Sequence, residues 1–270
     1  MSAKGFGKKE KFQKQIKNLK KLEKNLENTE SLKQKGIHFG NEINSTWATQ
    51  AQGMRTKSEQ IYGHLLITAR LLMITALADL QTYRVGIPGE TNEKLGEILR
   101  LIVVFYQGQF CTEQIISEGQ YIKASAVIKQ EIEIITRIAE IKQGCAKVGK
   151  TPNVKYAPSM LNLHYGDMND IAHISKPTVL DPFTSIDKGT FKGVSIQPIF
   201  HKEISKNLCE IHLSIFYNII LEEIELFQQL YPDDMELVLP AYKLLSIIQE
   251  LLTKSGSTFK FSNSKQSDQP

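Results

Sequence analysis

The chain has little with which to staple itself covalently. Three cysteines in 270 residues, Cys111, Cys145 and Cys209, lie far apart and cannot all pair. Such spacing excludes a disulfide frame and predicts free thiols in a reducing, cytoplasmic compartment. There is one tryptophan, Trp47, and no run of 18 apolar residues free of charge. The closest approach, 65–80, carries Arg70 and Asp79, which predicts a buried helix and no membrane span. No Gly-x-Ser-x-Gly elbow, His-Glu-x-x-His or Glu-x-x-His occurs, so serine hydrolase, zinc protease and di-iron bundle chemistry lose their signatures. Neither a metal site nor a bound cofactor is expected.

Charge is present but unevenly placed. Residues 1–35 hold 11 Lys and 4 Glu, a net of +7; the whole chain is +4, so the remaining 235 residues sum to −3. The basic character therefore belongs to a leading arm. Within it Phe12, Ile16, Leu19, Leu22 and Leu26 recur at helical intervals, giving an amphipathic helix with a lysine face. Lys8, Lys9, Lys11, Lys14, Lys17, Lys20, Lys21 and Lys24 are the candidates for contact with nucleic-acid phosphates, which lysine favours without sequence choice. The seam would otherwise dock on the body or on a second copy. Residues 36–53 read as a polar, Gly-containing linker in which Trp47 is an anchor.

Beyond the arm, apolar residues follow a period near 3.6 in one segment after another, which predicts an all-α chain. Helices are expected over 58–84, 91–118, 119–143, 159–173 and 202–230, and from after Asp233 to Lys254, with Pro240 kinking the last or delaying its start. The first should be apolar on more than one face. The segment 119–143 organises the rest: Ile128, Ile132, Ile135 and Ala139 share a face over six turns. Residues 175–200 read as irregular, with a hairpin at 190–199 as the only β-structure. Three regions result: a basic arm and linker over 1–53, a single bundle of five or six long helices over 54–254, and a disordered tail over 255–270.

Three constellations carry possible chemistry. Gly144 to Thr151 matches G-x-x-x-x-G-K-[ST], in which Lys150 would reach phosphates and Thr151 a magnesium ion. That chemistry needs a strand before the loop and a helix after it. Here a long helix precedes it and Pro152 follows, so a glycine-capped helix end is the competing reading. On the helix at 159–173, Asn169 and His173 lie four apart, Tyr165 one turn earlier and Asp170 beside them. A histidine there could act as acid or base, with its neighbours orienting it or a phosphate; a polar pair finishing a helix end is the alternative. On the organising helix Lys129, Glu133 and Arg137 form an i,i+4 row, either an exposed ladder or a row facing the polar helix.

These last two stretches resemble a broad group of bacterial all-helical proteins similar to HEPN-type bundles. The pattern is carried by Gly119, Ala124, Ala126, Lys129 and Glu133, then Tyr165, Met168, Asn169 and His173. The layout spans roughly 58–254. What the resemblance implies is a role linked to RNA, of the abortive-infection or toxin–antitoxin kind. Nuclease members carry Arg-x4–6-His, and no arginine stands at that interval before His173. The leading expectation is an oligomeric or partner-bound helical interaction protein that contacts RNA through its arm. The second is a metal-independent ribonuclease using His173, with Asn169, Asp170, Tyr165, Lys129 and Glu133 around it. The third is nucleotide binding through Gly144–Thr151.

Overall fold

A computed structural model describes residues 13–19, 29–82, 89, 91–173, 177–187, 189 and 192–256. Of the described residues, 82% are helical and six lie in strands, so the chain is all-α. It divides into two compact units, Met1–Gln50 and Ala51–Pro270.

In the first unit residues 13–19 form helix α1, with Lys14, Lys17 and Leu19 exposed. The other arm lysines, Lys8, Lys9, Lys11, Lys20, Lys21 and Lys24, lie outside the described residues. Helix α2, Thr29–Thr82, begins in this unit and continues into the second. It overturns the expected linker, because 36–53 is helical throughout. Glycines at 36 and 40 cost about 1 kcal/mol each against alanine. The hydroxyls between them and residue 53 do not compete with the ladder: Thr46 donates to the Glu42 carbonyl at 2.9 Å and Thr49 to the Ser45 carbonyl at 3.0 Å. The break comes later, at Gly63, whose φ of 69° and ψ of 168° divide α2 into two helical segments. Only glycine adopts that backbone cheaply.

The second unit is built from α3 (Glu93–Ser117), α4 (Tyr121–Lys142), α5 (Ser159–Ala172), α6 (Pro177–Thr184), α7 (Lys202–Leu230) and α8 (Leu239–Lys254). Asn92 caps α3, its side chain accepting from the Leu95 N–H at 3.0 Å. Between α3 and α4 the chain turns at Gly119, with φ of 76°. A Cβ there would lie 2.5 Å from Met54 Cε and 3.3 Å from Pro198 Cβ, so conformation and space both require glycine. Helix α4 packs against α3, α5 and α7. Its stripe of Ala124, Ile128, Ile132, Ile135 and Ile138 is at most 3% exposed, and each isoleucine contributes about 1.5–3 kcal/mol by burial. The isoleucine-rich run 132–136 is helix because its period continues on both sides.

Two expectations about the remaining segments need correction. Pro177 opens a helix, α6, where irregular chain was expected; a proline fits a first helical position because that N–H has no intrahelical acceptor. The hairpin lies earlier than 190–199, with β1 (Ser185–Asp187) antiparallel to β2 (Lys192–Val194) and Ser185 opposite Val194. Pro240 delays α8 as expected: a 3-10 turn, Met235–Val238, precedes it. Helix α2 buries one face, not several. Leu66, Ala69, Met73, Ala76, Leu77 and Leu80 are at most 1% exposed, while Leu71 is 52% exposed. By length and composition α2 alone among the described helices is apolar enough to cross a membrane, and 28% of its most apolar window is buried.

Candidate functional site

Helices α4 and α7 each place a charged residue inside an apolar stripe. On α4, Glu131 lies three residues after Ile128 and four before Ile135, and it is 4% exposed. On α7, His212 lies four residues after Leu208 and three before Ile215, and it is 1% exposed. The two stripes face each other, so the charges meet: His212 Nδ1 is 2.9 Å from Glu131 Oε2. The other carboxylate oxygen accepts from the Thr112 hydroxyl of α3 at 2.7 Å. Phe105 stacks beside the imidazole with ring centroids 6.0 Å apart.

The relay continues on the far side of the ring. His212 Nε2 is 3.9 Å from Glu113 Oε1, and neither atom has a hydrogen-bond partner. Glu113 Oε2 accepts from Arg70 Nε at 2.6 Å, so α2, α3, α7 and α4 are joined by one chain of charges. Burial alone would lower the imidazole's pKa. The Glu131 carboxylate, through charge and hydrogen bond, and then Glu113 outweigh it, and the pKa is raised. The His212 ring thus lies buried between two carboxylates that favour its charged form.

His212 and Glu113 border a cavity of about 610 Å³ between α2, α3 and α7, from which the two unpaired atoms themselves are shut off. Its polar wall is Arg55, Glu59, Tyr62, Arg70, Glu113 and His212; Leu66, Ile67, Phe110, Ile116 and Leu213 supply apolar surface. That volume lies within the range of small-molecule sites. Both guanidinium groups are engaged, Arg70 with Glu113 and Arg55 with Glu118 and Gln52. Cys209 also lines the cavity, but burial and then the charges of Glu113 and Glu210 push its thiol pKa far up, so it stays protonated and is a poor nucleophile. Among the described residues no group of three His, Cys, Asp or Glu is placed to hold a metal ion.

The residues singled out from sequence lie elsewhere. Lys129, Glu133 and Tyr165 do come together: the Tyr165 hydroxyl donates to Glu133 Oε1 at 2.7 Å, and Lys129 Nζ is 3.8 Å from the same oxygen. Partial burial, then the Glu133 hydrogen bond and charge, raise the Tyr165 pKa to about 12. His173 is exposed at the C-cap of α5, its backbone N–H donating to the Asn169 carbonyl at 3.1 Å. Asn169 and Asp170 are half-buried. Among the described residues, the bonds joining Lys129, Glu133 and Tyr165 do not extend to His173. Arg137 leaves the lysine row and turns to the glycine loop.

That loop is the C-terminal cap of α4. The Gly144 N–H donates to the Ile141 carbonyl at 3.1 Å and the Cys145 N–H to the Glu140 carbonyl at 3.0 Å, with Gly144 at φ 68°. The Arg137 guanidinium donates to the carbonyls of Lys147 (3.3 Å) and Lys150 and to Glu140 Oε2 (2.8 Å). Carbonyls of the loop are therefore gathered toward a cation, and a helix, not a strand, leads into it.

Sequence reasoning passed over His212, Glu131, Glu113 and Arg70. The signal that could have found the first two was an ionisable residue at helical spacing within an isoleucine and leucine stripe. The same signal marks Glu223 on α7, fully buried beside Ile219, Ile220 and Ile224. Burial pushes its carboxyl pKa up to about 8, partly offset by the Gln81 side chain, which donates to it. No protein-family model, curated protein or solved structure matches this chain.

Proposed function

We propose that the second unit is a helical bundle that binds a small organic ligand between α2, α3 and α7. The observation that carries this reading is a cavity of about 610 Å³ whose wall joins apolar Leu66, Ile67 and Phe110 to the charged Arg55, Glu59, Arg70 and Glu113.

The test is occupancy. Aromatic probes soaked into the protein are expected to shift methyl resonances of Leu66, Ile116 and Leu213 and to raise the melting temperature. Probes that move only surface resonances would contradict the reading.

A second reading, an RNA-associated interaction protein, is favoured by one separate observation. The first 35 residues carry +7 while the rest of the chain carries −3, and Lys14 and Lys17 are exposed on α1. RNA affinity is then expected to fall steeply with salt and to vanish on removal of residues 1–35. Retention of both affinity and salt slope by the shortened chain would remove this reading.

A further inference from the structure

We propose a second binding site, for a small diphosphate-bearing molecule, in the hollow between the end of α4 and the loop 145–156. The hollow has a volume of about 450 Å³ and shares no lining residue with the cavity between α2, α3 and α7. Around it stand Arg137, Lys147, Lys150 and Lys155 against a single carboxylate, Glu140, a net of +3. Residues 36–270 together sum to −3, so this concentration of cations runs against the charge of the chain around it. The carboxylate is already engaged: Oε2 accepts from Arg137 at 2.8 Å and Oε1 from the Asn153 backbone N–H at 2.7 Å. The three lysines are exposed, and among the described residues none has a carboxylate within 4 Å of its ammonium group.

The loop holds these residues together. Arg137 collects the carbonyls of Lys147 and Lys150, which ties the backbone of both lysines to α4. Asn153 starts a 3-10 turn, Val154–Tyr156, its side chain accepting from the Lys155 N–H at 3.2 Å. The Lys155 ammonium lies 4.6 Å from the centroid of the Tyr156 ring, a cation–π contact that holds it beside the hollow. Because the carbonyls turn toward Arg137, backbone N–H groups do not wrap an anion here as they do in a phosphate loop. Binding falls instead to the ammonium groups, joined by the Thr151 hydroxyl. Charge sets the class. A phosphate monoester brings about −1.5 to −2 near pH 7, short of the charge it meets, and a second phosphate closes the difference. A cation is repelled.

The experiment is a calorimetric titration of the full-length protein with pyrophosphate, inorganic phosphate and a single-stranded RNA, in EDTA so that no magnesium complex forms. Pyrophosphate is expected to bind as a single equivalent, at least about tenfold more tightly than phosphate. Lys147→Gln/Lys150→Gln should weaken pyrophosphate at least about tenfold, while the charge-matched Lys202→Gln/Lys243→Gln, on α7 and α8, keeps wild-type affinity. All four lysines are exposed, so neither double variant threatens the core. Equal losses in the two variants would reduce the effect to net charge and overturn the site. Phosphate matching pyrophosphate would overturn the diphosphate assignment. If pyrophosphate fails to bind while RNA binds and is weakened only by Lys147→Gln/Lys150→Gln, the small-ligand assignment falls and the loop is a nucleic-acid surface. None of these outcomes depends on the cavity between α2, α3 and α7.

Discussion

Glu131 and Glu133 stand two residues apart on α4 and lead opposite lives. Glu133 points toward α5, where it meets a tyrosine hydroxyl and a lysine at the half-exposed surface. Glu131 points into the core, where its partner is an imidazole 81 residues away on α7 and its second oxygen is held by a threonine of α3. Their difference is one of helical phase. Two residues rotate a side chain by about 200° around the axis, which carries a carboxylate from the solvent side to the isoleucine side. The same charge is then worth little in one place and a great deal in the other, because desolvation makes a buried ion dependent on its partner.

The largest expected effect breaks the comparison directly. Glu131→Ala leaves the buried His212 ring without the carboxylate that holds its Nδ1 and should cost about 3–5 kcal/mol in urea unfolding. Glu133→Ala removes an ion pair and one phenol hydrogen bond, and should cost about 1 kcal/mol. Equal losses would mean that the interior pair is not the structural element described above.

The next effect is one of pH. Glu223 is protonated in the folded protein until about pH 8, well above an exposed glutamate. A group whose folded pKa is raised contributes stability that is complete below its unfolded pKa and is lost as pH rises toward the folded one. His212, also raised, adds a loss of the same sign above the ordinary histidine range. Stability should therefore fall from about pH 4.5 to 8, with a slope on the order of 1.4 kcal/mol per pH unit from Glu223. Glu223→Gln keeps the bond to Gln81 and should flatten that window, leaving the decline due to His212. An unchanged slope in the variant would show that Glu223 is ionised in the native state.

Smaller effects separate the glycine loop from the sequence-selected histidine. Arg137→Ala frees the carbonyls of Lys147 and Lys150, and should cost about 1–2 kcal/mol and speed proteolytic cleavage within 145–151. His173→Ala should change stability by less than about 0.5 kcal/mol, since the ring is exposed. A loss of 2 kcal/mol or more at His173 would place it in a network absent from this account.

Much of the helical layout was legible because apolar periodicity is a local property. The 202–230 helix matches at both ends, and α3, α4 and α5 match within about two residues. Helix 36–53 was not legible, because its glycines and hydroxyls read as a loop when the bonds of Thr46 and Thr49 to carbonyls four residues back are unseen. The trio of Lys129, Glu133 and Tyr165 was half legible: the i,i+4 row lies on one helix, but its tyrosine comes from another. The relay through Arg70, Glu113, His212 and Glu131 draws one residue from each of four helices, and no spacing in the chain records that meeting. What the chain does record is each intruder in an apolar stripe, a charge whose burial requires a partner somewhere.

The most direct measurement is the protonation of that buried ring. In protein labelled with ¹⁵N-histidine, the His212 resonances are assigned by their loss in His212→Gln and followed from pH 5 to 9. His212 is expected to keep both ring protons above the ordinary histidine range near pH 6.5, and Glu131→Gln to lower its midpoint. A His212 that titrates near or below pH 6.5, unmoved by Glu131→Gln, would contradict it.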